Sequence, residues 1–332
     1  MSVSRQGPGR TGDDAATRFP PELLYRAARL YYLENATQAE VAAALATSRP
    51  TVSRLLAEAR ATGIVHIEVR EADAVPVAEL EARLVESLGL RRAYVTPSAN
   101  GVPLGTVLAP QVSLALEDAA LRAGDALLVS SGSCIHAVSQ QPLPTLPGVA
   151  LAPTVGGVDE PEARHQTNEI TRTMAVKMHG DPVLLYAPAM PSPALYDVLL
   201  QDPSMQRVMS LWRTAKAALL GIGARPRSGS SLAALAHRES QDLASAVGDI
   251  CARPFDAGGR PVPFPGSDRL VAIRLEDLER VPAAIGCAVG AEKVPAIRAA
   301  ARAGYINTLV TDSTTASLLI AQGQDDEEVM PA

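Results

Sequence analysis

Hydrophobic and polar positions near the amino end of the chain repeat with helical spacing. Residues 37–54 read TQAEVAAALATSRPTVSR, with apolar positions every three or four residues in two short runs. A break at residues 46–47 separates the runs. Thr37 followed three residues later by Glu40 forms a capping box, which predicts the start of the first helix. The pattern predicts a helix-turn-helix.

The second helix of this motif has an apolar face and a polar face. Val52, Leu55, Leu56 and Ala59 are expected to pack inward. Arginine reads guanine edges and short hydroxyls reach phosphates and bases, so the residues at the start of this helix predict DNA binding. The alternative interpretation is a helical hairpin within a larger core. The candidate DNA contacts, which include the proposed N-cap Ser48 and first-turn proline Pro50, are Gln38, Ser48, Arg49, Pro50, Thr51, Ser53 and Arg54.

The segments around the motif complete a small DNA-binding domain. Residues 21–33 form an amphipathic helix expected to pack under the two helices, and Gly63 is a candidate terminator of the second one. Residues 64–69, IVHIEV, alternate as a strand and are typical of a wing. Residues 71–74 follow as a short link, and residues 77–88 predict a long helix closed by Gly89.

Apolar runs that resemble strands alternate with helical runs through the rest of the chain. This alternation predicts an α/β fold around a mainly parallel sheet. The candidate strands are residues 92–95, 126–130, 149–153, 183–187, 217–222, 270–273, 284–288 and 308–311. The predicted organisation is a disordered segment 1–18, a winged helix-turn-helix 19–70, an effector-binding and oligomerisation domain 75–322, and an acidic tail 323–332.

Several predicted strands end in loops that suit an anionic ligand. Ligands of parallel sheets bind beyond the carboxyl ends of strands, where backbone amides and helix N-termini are exposed. The loops contain Ser131, Gly132 and Ser133; Gly156 and Gly157; Gly221 and Gly223; Gly290 and Lys293; and Asp312. Each loop alone is a weak signal, since a glycine after a strand is usually a turn. Together they predict an anion site, with Lys293 supplying the positive charge.

Charge and cysteine content narrow the class of protein. The 332 residues carry a net charge of −6, and only 3% are aromatic, so the cores are aliphatic. The stretch 48–62 is nevertheless basic, which fits DNA binding with modest nonspecific affinity. Cys134, Cys251 and Cys287 are far apart and not in metal-ligand spacing. With no secretory segment or long apolar run, the sequence predicts a cytoplasmic protein without membrane, metal or cofactor.

These motifs, taken together, resemble the SorC/DeoR-type family of sugar-binding bacterial transcriptional regulators. The resemblance covers residues 24–319 and rests on the front segment 27–69 and on later runs. Those runs are SSGSC, APTVGG, HQTN, LLYAPA, LLGIG, GDICARPFDAGG and VGAEKVPAIRAAARAGYINTLVTD. It implies a winged helix-turn-helix joined to a domain similar to ribose-5-phosphate isomerase and glucosamine-6-phosphate deaminase. It also implies operator DNA, a phosphorylated sugar or sugar alcohol, and other copies of the chain, as a dimer or tetramer, as partners.

The resemblance also implies roles for individual residues. Ser131, Gly132 and Ser133 match the phosphate loop of the family, with Gly290 and Lys293 on its other side. Four further residues match positions near the sugar: Gln166, Asn168, Asp249 and Asp312. The chain departs from the family at Cys134, where the loop usually reads Gly-Thr-Thr, and at Val289, where the family often has glycine.

Plainer interpretations stand beside these assignments. Asp249 and Asp312 are candidate helix or turn caps, and Lys293 is a candidate solvated helix residue. His136 and His165 are expected to be ordinary hydrogen-bonded or surface histidines. No catalytic residue is assigned, and the leading hypothesis is a regulator without enzyme activity. The alternative is a sugar-phosphate isomerase or deaminase with a DNA-binding appendage, for which Asp249 and Asp312 are the available carboxylates.

Overall fold

The computed structural model describes residues 19–65, 75–99, 101–159, 162–225 and 241–328. The chain divides into two compact units, Met1–Ala74 and Val75–Ala332. The predicted disordered segment 1–18 and the link 71–74 lie outside the described residues. The predicted wing over 64–69 lies outside them from residue 66 onward, so all three remain predictions.

The first unit is a small helical bundle with an aliphatic core. Helix α1 spans Pro21–Ala28 and continues as a π-helical turn, Arg29–Leu33, where the sequence predicted one regular helix. Helix α2 spans Gln38–Ala44 and α3 spans Arg49–Ala61. The buried core comprises Leu24, Ala27, Ala28, Val41, Ala42, Val52, Leu55, Leu56 and Ala59.

Local side-chain caps define the ends of α2 and α3. The capping box is present, because the Glu40 amide donates to the Thr37 hydroxyl at 3.3 Å and the Thr37 amide donates to the Glu40 carboxylate at 2.7 Å. The Thr51 amide donates to the Ser48 hydroxyl at 3.4 Å. Gly63, with φ of 77°, follows the C-cap of α3 in the left-handed conformation that favours glycine. The helix boundaries predicted from the sequence are therefore confirmed.

The second unit alternates strands and helices, as predicted for an α/β fold. Its strands are β1 Arg92–Thr96, β2 Ala126–Val129, β3 Ala150–Pro153, β4 Asp181–Pro182, β5 Ala217–Ala224, β6 Gly248–Ile250, β7 Arg253–Phe255, β8 Ala283–Cys287 and β9 Thr308–Asp312. Its described helices are α4 Val77–Leu88, α5 Leu104–Asp118, α6 Ser133–Ser139, α7 Thr167–Met178, α8 Pro193–Leu199, α9 Pro203–Thr214, α10 Leu275–Leu278, α11 Val294–Arg302 and α12 Ser313–Glu328.

The main sheet is parallel and follows the order β1-β9-β8-β5-β2-β3-β4. Strand β6 pairs antiparallel with the end of β5, and β7 pairs antiparallel with β6. Because the seven strands of the main path run in the same direction, their carboxyl ends all meet at one edge of the sheet, called the carboxyl edge below. This edge is where ligands of such sheets bind.

Helices cover both faces of the sheet. On one face α5, α6 and α7 bury residues such as Leu108, Ile135 and Met174. On the other face α4, α9, α11 and α12 bury a second cluster that includes Leu84 and Trp212. Strands covered on both sides read as continuous apolar runs, which explains why most of them were recognised in the sequence.

Two predicted strands are not strands in the structure. The first is the segment 183–187, after β4. The side-chain amide of Asn168, rather than a neighbouring strand, pairs with the backbone of Leu185 there. Residues 270–273 follow a 3₁₀ turn, and the Arg253 guanidinium binds the carbonyls of Leu270, Ala272 and Ile273. Residues 270–273 are buried, and Val183, Leu185 and Ala187 are the buried positions of the other segment. An apolar run therefore indicates burial rather than strand pairing.

The predicted acidic tail begins inside a helix. Helix α12 continues to Glu328, so residues 323–328 are helical and only residues 329–332 lie outside the described part of the chain. The boundary near residue 322 therefore does not coincide with the end of an element.

Candidate functional site

The polar face of α3 carries the candidate DNA contacts. Arg49, Pro50, Ser53 and Arg54 are exposed, while Thr51 is half-buried. The opposite face is closed, because Val52, Leu55, Leu56 and Ala59 are each at most 3% exposed. Side chains three and four positions apart share a face of a helix, so burial of this stripe turns the arginines outward.

The two arginines of this face are available for an outside partner. Within the described residues, neither Arg49 nor Arg54 takes part in an ion pair. The carboxylate of Glu58, on the same helix, accepts from the Phe19 amide at 3.3 Å. Its negative charge is therefore directed toward α1 rather than toward the arginines.

Ser48 has a structural role at the start of α3, and Gln38 lies on the preceding helix. The Ser48 hydroxyl caps α3 and lies 2.9 Å from the Thr51 hydroxyl. Gln38 is half-buried in the first turn of α2. Ser48 therefore orients the helix, and Arg49, Ser53 and Arg54 form its outward surface.

The second candidate site is built at the carboxyl edge from three adjacent strands, β8, β5 and β2. Its base is a close backbone approach at Gly221 on β5. A Cβ there would lie 2.8 Å from the Ser131 carbonyl oxygen, so a larger residue would push the loop away. The Ser130 hydroxyl accepts from the Gly221 amide at 2.7 Å and fixes the loop in place. Gly221 of β5 thus positions the candidate phosphate loop, which packs directly on it.

The loop after β2 turns into α6 at Gly132. Gly132 has φ of 117°, a conformation that favours glycine, and its amide donates to the Arg164 carbonyl at 2.8 Å. The amides of Ser133 and Cys134 belong to the first turn of α6, where a helix offers no internal acceptor. The hydroxyls of Ser131 and Ser133 have no hydrogen-bond partner among the residues that the structure describes, and Ser133 is exposed.

Lys293 lies in the segment after β8 and reaches the neighbouring strand β5. Its ammonium group donates to the Ile222 carbonyl at 2.9 Å at the end of β5. The same charge acts on Cys134 in the first turn of α6 and on Asp249 of β6. An ammonium group has three N–H donors, so the bond to Ile222 leaves donors for a ligand. The predicted pairing of Lys293 with the loop of residues 131–133 stays a prediction.

Asp249 lies beside Lys293 with its carboxylate against Gly223. A Cβ at Gly223 would lie 1.9 Å from a carboxylate oxygen of Asp249, so a side chain there would displace the carboxylate. Burial raises the pKa of Asp249 to about 6, while Lys293 and a hydrogen bond from the Ala252 amide act in the opposite direction. Asp249 therefore titrates near neutrality beside a cation at the edge of the site.

The glycines after β3 are committed to the fold. The amides of Gly156 and Gly157 donate to the carbonyls of Val271 and Ala187 at 2.8 Å each. A Cβ at Gly156 would lie 2.7 Å from the Ala187 carbonyl oxygen. These amides would have to break backbone hydrogen bonds to bind an anion. The structure therefore gives both residues a packing role in place of the predicted ligand contact.

Asn168 and Gln166 also bond to the backbone. The Asn168 amide donates to the Leu185 carbonyl at 2.9 Å and accepts from the Leu185 amide at 3.0 Å. The Gln166 amide donates to the Val158 carbonyl at 3.4 Å. Both the amide nitrogen and the amide oxygen of Asn168 are therefore bonded to Leu185, in the way that the backbone of a neighbouring strand would be.

At the far end of the edge, the Asp312 carboxylate caps α12. It accepts from the Thr315 amide at 2.9 Å and from the Ser98 hydroxyl at 2.8 Å. The Thr315 hydroxyl in turn accepts from the Gly290 amide at 2.9 Å. The cap interpretation of Asp312 is thus the one that its hydrogen bonds support, and Gly290 is tied to the same network.

Two features of this edge were missed in the sequence. Ser98, after β1, links Asp312 to the first turn of α12 through its hydroxyl. Thr167 has a buried hydroxyl without a partner among the described residues, and such a group can bond a ligand or water. No sequence pattern distinguishes Ser98 or Thr167, because their roles depend on groups that are brought near them by the fold.

The described residues contain no cluster of histidine, cysteine or carboxylate side chains able to hold a metal ion. Within the same residues, no helix has the length and apolar character needed to cross a membrane.

Comparison with known proteins places this architecture. A family model for a sugar-binding domain matches residues 73–321. The sorbitol operon regulator of Klebsiella pneumoniae is 32% identical over 309 residues, which cover 90% of this chain and 97% of that protein. The deoxyribonucleoside regulator of Bacillus subtilis is 30% identical, with 90% of this chain and 97% of that protein covered. The crystal structure of full-length SorC from Klebsiella pneumoniae superposes with a TM-score of 0.69 at 30% identity, covering 90% of this chain and 98% of that one.

A helix-turn-helix unit followed by a parallel α/β unit with a sugar-binding domain defines a class of transcription regulators. The chain belongs to the SorC/DeoR-type family of sugar-binding transcriptional regulators.

Asn168 offers a test of its structural role. Replacing it with alanine should lower the free energy of unfolding by about 1–3 kcal/mol for each backbone group of Leu185 left unpaired, because Leu185 is buried. Urea unfolding of the second unit can be followed by the fluorescence of Trp212, the one tryptophan of the chain.

The control is Glu169→Ala on the same helix, which removes an exposed pair with Arg172 and should change stability by less than about 1 kcal/mol. Unchanged stability in Asn168→Ala together with weaker ligand binding would instead assign Asn168 to the ligand.

Proposed function

We propose that this protein is a DNA-binding transcriptional regulator of a carbohydrate operon, and that a phosphorylated sugar or sugar alcohol controls its operator binding. The observation that carries the proposal is the convergence of Lys293, Asp249 and the start of α6 at the carboxyl edge. A regulator of this kind acts on chromosomal DNA, so we propose a cytoplasmic location.

The phosphate is proposed to bind between α6 and Lys293. First-turn amides, two unpartnered hydroxyls and an ammonium group supply donors of the kind that bind phosphate. Ser131 and Ser133 are suited to the oxygens of the phosphate because they are exposed or half-buried at the loop surface. Asp249 is suited to a sugar hydroxyl, since a carboxylate accepts hydrogen bonds from such groups.

DNA recognition is proposed for the outward face of α3. Arg49, Ser53 and Arg54 are exposed at the start of this helix, where recognition helices contact base edges. One helix reads only a few base pairs, so we propose that two or more copies of the chain bind an operator with inverted symmetry. Effector binding then shifts operator affinity by as much as the effector prefers one arrangement of the subunits.

One observation favours a second candidate, a sugar-phosphate isomerase with an attached DNA-binding unit. A carboxylate with a pKa raised to about 6 beside a lysine is suited to proton transfer. Turnover of pentose or hexose phosphates that disappears in Asp249→Asn would favour the enzyme. Effector binding without turnover would favour the regulator.

Arg54 is the sharpest test of the DNA surface. Arg54→Ala should weaken operator binding by about 1–3 kcal/mol if the side chain makes a paired contact to a guanine. Arg49→Ala is expected to act in the same direction, and both effects are measured by fluorescence anisotropy with labelled operator DNA at fixed salt.

Arg60→Ala is the matched control, because Arg60 lies in the last turn of α3, away from the helix start. Operator affinity that is unchanged in both Arg49→Ala and Arg54→Ala would exclude this surface.

Lys293 tests the effector site. Lys293→Ala should weaken binding of the phosphorylated sugar about 10- to 100-fold, since hydrogen bonds to charged groups contribute about 1.5–3 kcal/mol. Operator affinity without effector should stay near the wild-type value, because Lys293 belongs to the second unit. Calorimetric titration with phosphorylated and unphosphorylated forms of each candidate sugar measures the first effect, and fluorescence anisotropy with labelled operator DNA measures the second.

Lys216→Ala removes the same charge from the start of β5, at the opposite edge of the sheet, and should bind normally. Equal affinity for the unphosphorylated sugar, or a normal response in Lys293→Ala, would contradict the phosphate site.

Assembly is tested on the full chain. Tyr25 and Leu33 are 57% and 75% exposed in the first unit, which leaves apolar surface for association. Sedimentation should detect a dimer or tetramer both free and on operator DNA. A monomer in both conditions would be incompatible with the proposed symmetric operator.

A further inference from the structure

The three cysteines occupy very different surroundings. Cys134 is half-buried in the first turn of α6, and Cys287 is fully buried at the end of β8. Cys251 is buried in the turn between β6 and β7. Although 153 positions separate Cys134 from Cys287 in the sequence, the fold places both at one hydrophobic cluster.

The proximity of Cys134 and Cys287 follows from the strand register. Cys287 pairs with Gly221 of β5, and it faces the same side of the sheet as α6. Gly221 has no side chain, and a Cβ there would lie 3.4 Å from Ile135 of α6. The first turn of α6 therefore sits directly over Gly221, within reach of the neighbouring Cys287. Cys134 packs against the buried cluster to which Cys287 belongs.

The pair is chemically asymmetric. The hydrogen bond from Cys287, the charge of Lys293 and the Val289 amide lower the pKa of Cys134, against opposing effects of burial and of Glu292. The hydrogen bond to Cys134 and burial hold the pKa of Cys287 well above its usual range. The thiolate is the reactive form of cysteine, so Cys134 is the nucleophile and Cys287 the proton-bearing partner.

We propose that Cys134 and Cys287 form a hydroperoxide-sensitive dithiol that closes to an intrachain disulfide at the carboxyl edge. In the first step the Cys134 thiolate attacks a hydroperoxide oxygen, forming Cys134 sulfenic acid and releasing hydroxide, or alkoxide from an organic peroxide. In the second step the Cys287 sulfur attacks the Cys134 sulfur, and the hydroxyl of the sulfenic acid leaves as water with the thiol proton. The peroxide is reduced by two electrons, and the two thiols are oxidised to one disulfide.

Closure changes the loop that precedes α6. Formation of the disulfide brings the two sulfur atoms to a bond length of roughly 2 Å and moves the first turn of α6 toward β8. The bond ties α6 to β8 and removes the thiolate from beside Lys293. The chemical step itself does not depend on the identity of the effector.

The wild-type chain is treated with hydrogen peroxide, alkylated under denaturing conditions, digested and examined by mass spectrometry. A peptide pair linked through Cys134 and Cys287 is expected, with Cys251 recovered as the alkylated thiol and the link removed by dithiothreitol. Sulfinic acid at Cys134 without the linked pair, or oxidation of Cys251 at the same rate, would overturn the proposal.

Variants separate the two steps. Cys287→Ala should stop at the sulfenic acid, which dimedone traps on Cys134, and Cys134→Ser should leave Cys287 unoxidised. Cys251→Ser is the matched control and should form the linked pair as the wild type does. Each variant is included only if its Trp212 fluorescence matches that of the native wild-type protein. The peptide analysis of the wild type does not depend on the variants.

An independent measurement uses no oxidant. Iodoacetamide should modify Cys134 of the native reduced protein at least about tenfold faster than Cys251, whose pKa burial raises to about 12. Equal rates would overturn the assignment of Cys134 as the nucleophile. Effector titration of the oxidised and reduced chains is read separately, so failure of the phosphate site and failure of the dithiol are distinguishable.

Discussion

The second unit depends on a backbone contact at Gly221. Because this position has no side chain, the loop after β2 packs directly on β5, and α6 begins over the centre of the sheet. The same absence brings Cys287 under the first turn of α6. A single methyl group there would displace the loop, since the nearest atom is the backbone carbonyl oxygen of Ser131, which cannot rotate away.

Lys293 organises the charge of this edge. It reaches across from the loop after β8 to the carbonyl of Ile222 and acts on groups of three elements. Its charge favours the ionised form of both Asp249 and Cys134, against the burial that opposes ionisation. One cation therefore influences the protonation of two different neighbours. An anionic ligand at this point would change all three groups at once.

The first unit follows a different logic, in which local caps and a small aliphatic core determine the recognition surface. The hydroxyls of Thr37 and Ser48 start the two helices, and the stripe from Val52 to Ala59 holds α3 against its neighbours. With that stripe buried, Arg49 and Arg54 are left outward. Every one of these interactions spans a few residues or packs one short helix on another, so the sequence pattern was sufficient to predict it.

The sequence by itself determined the helix-turn-helix, its caps, six of the strands and the order of loops at the carboxyl edge. These features depend on periodicity, turn residues and near neighbours in the chain. The assignment of individual loop residues required tertiary structure. Gly156 and Asn168 were expected near a ligand, but their polar groups complete the backbone of distant segments. The placement of Cys134 and Cys287 at one cluster was likewise not predictable, because it depends on strand register and on the absence of a side chain at Gly221. Whether a polar group is already hydrogen-bonded, and which distant residues lie together, depends on the assembled sheet. Only the tertiary structure could therefore decide these two points.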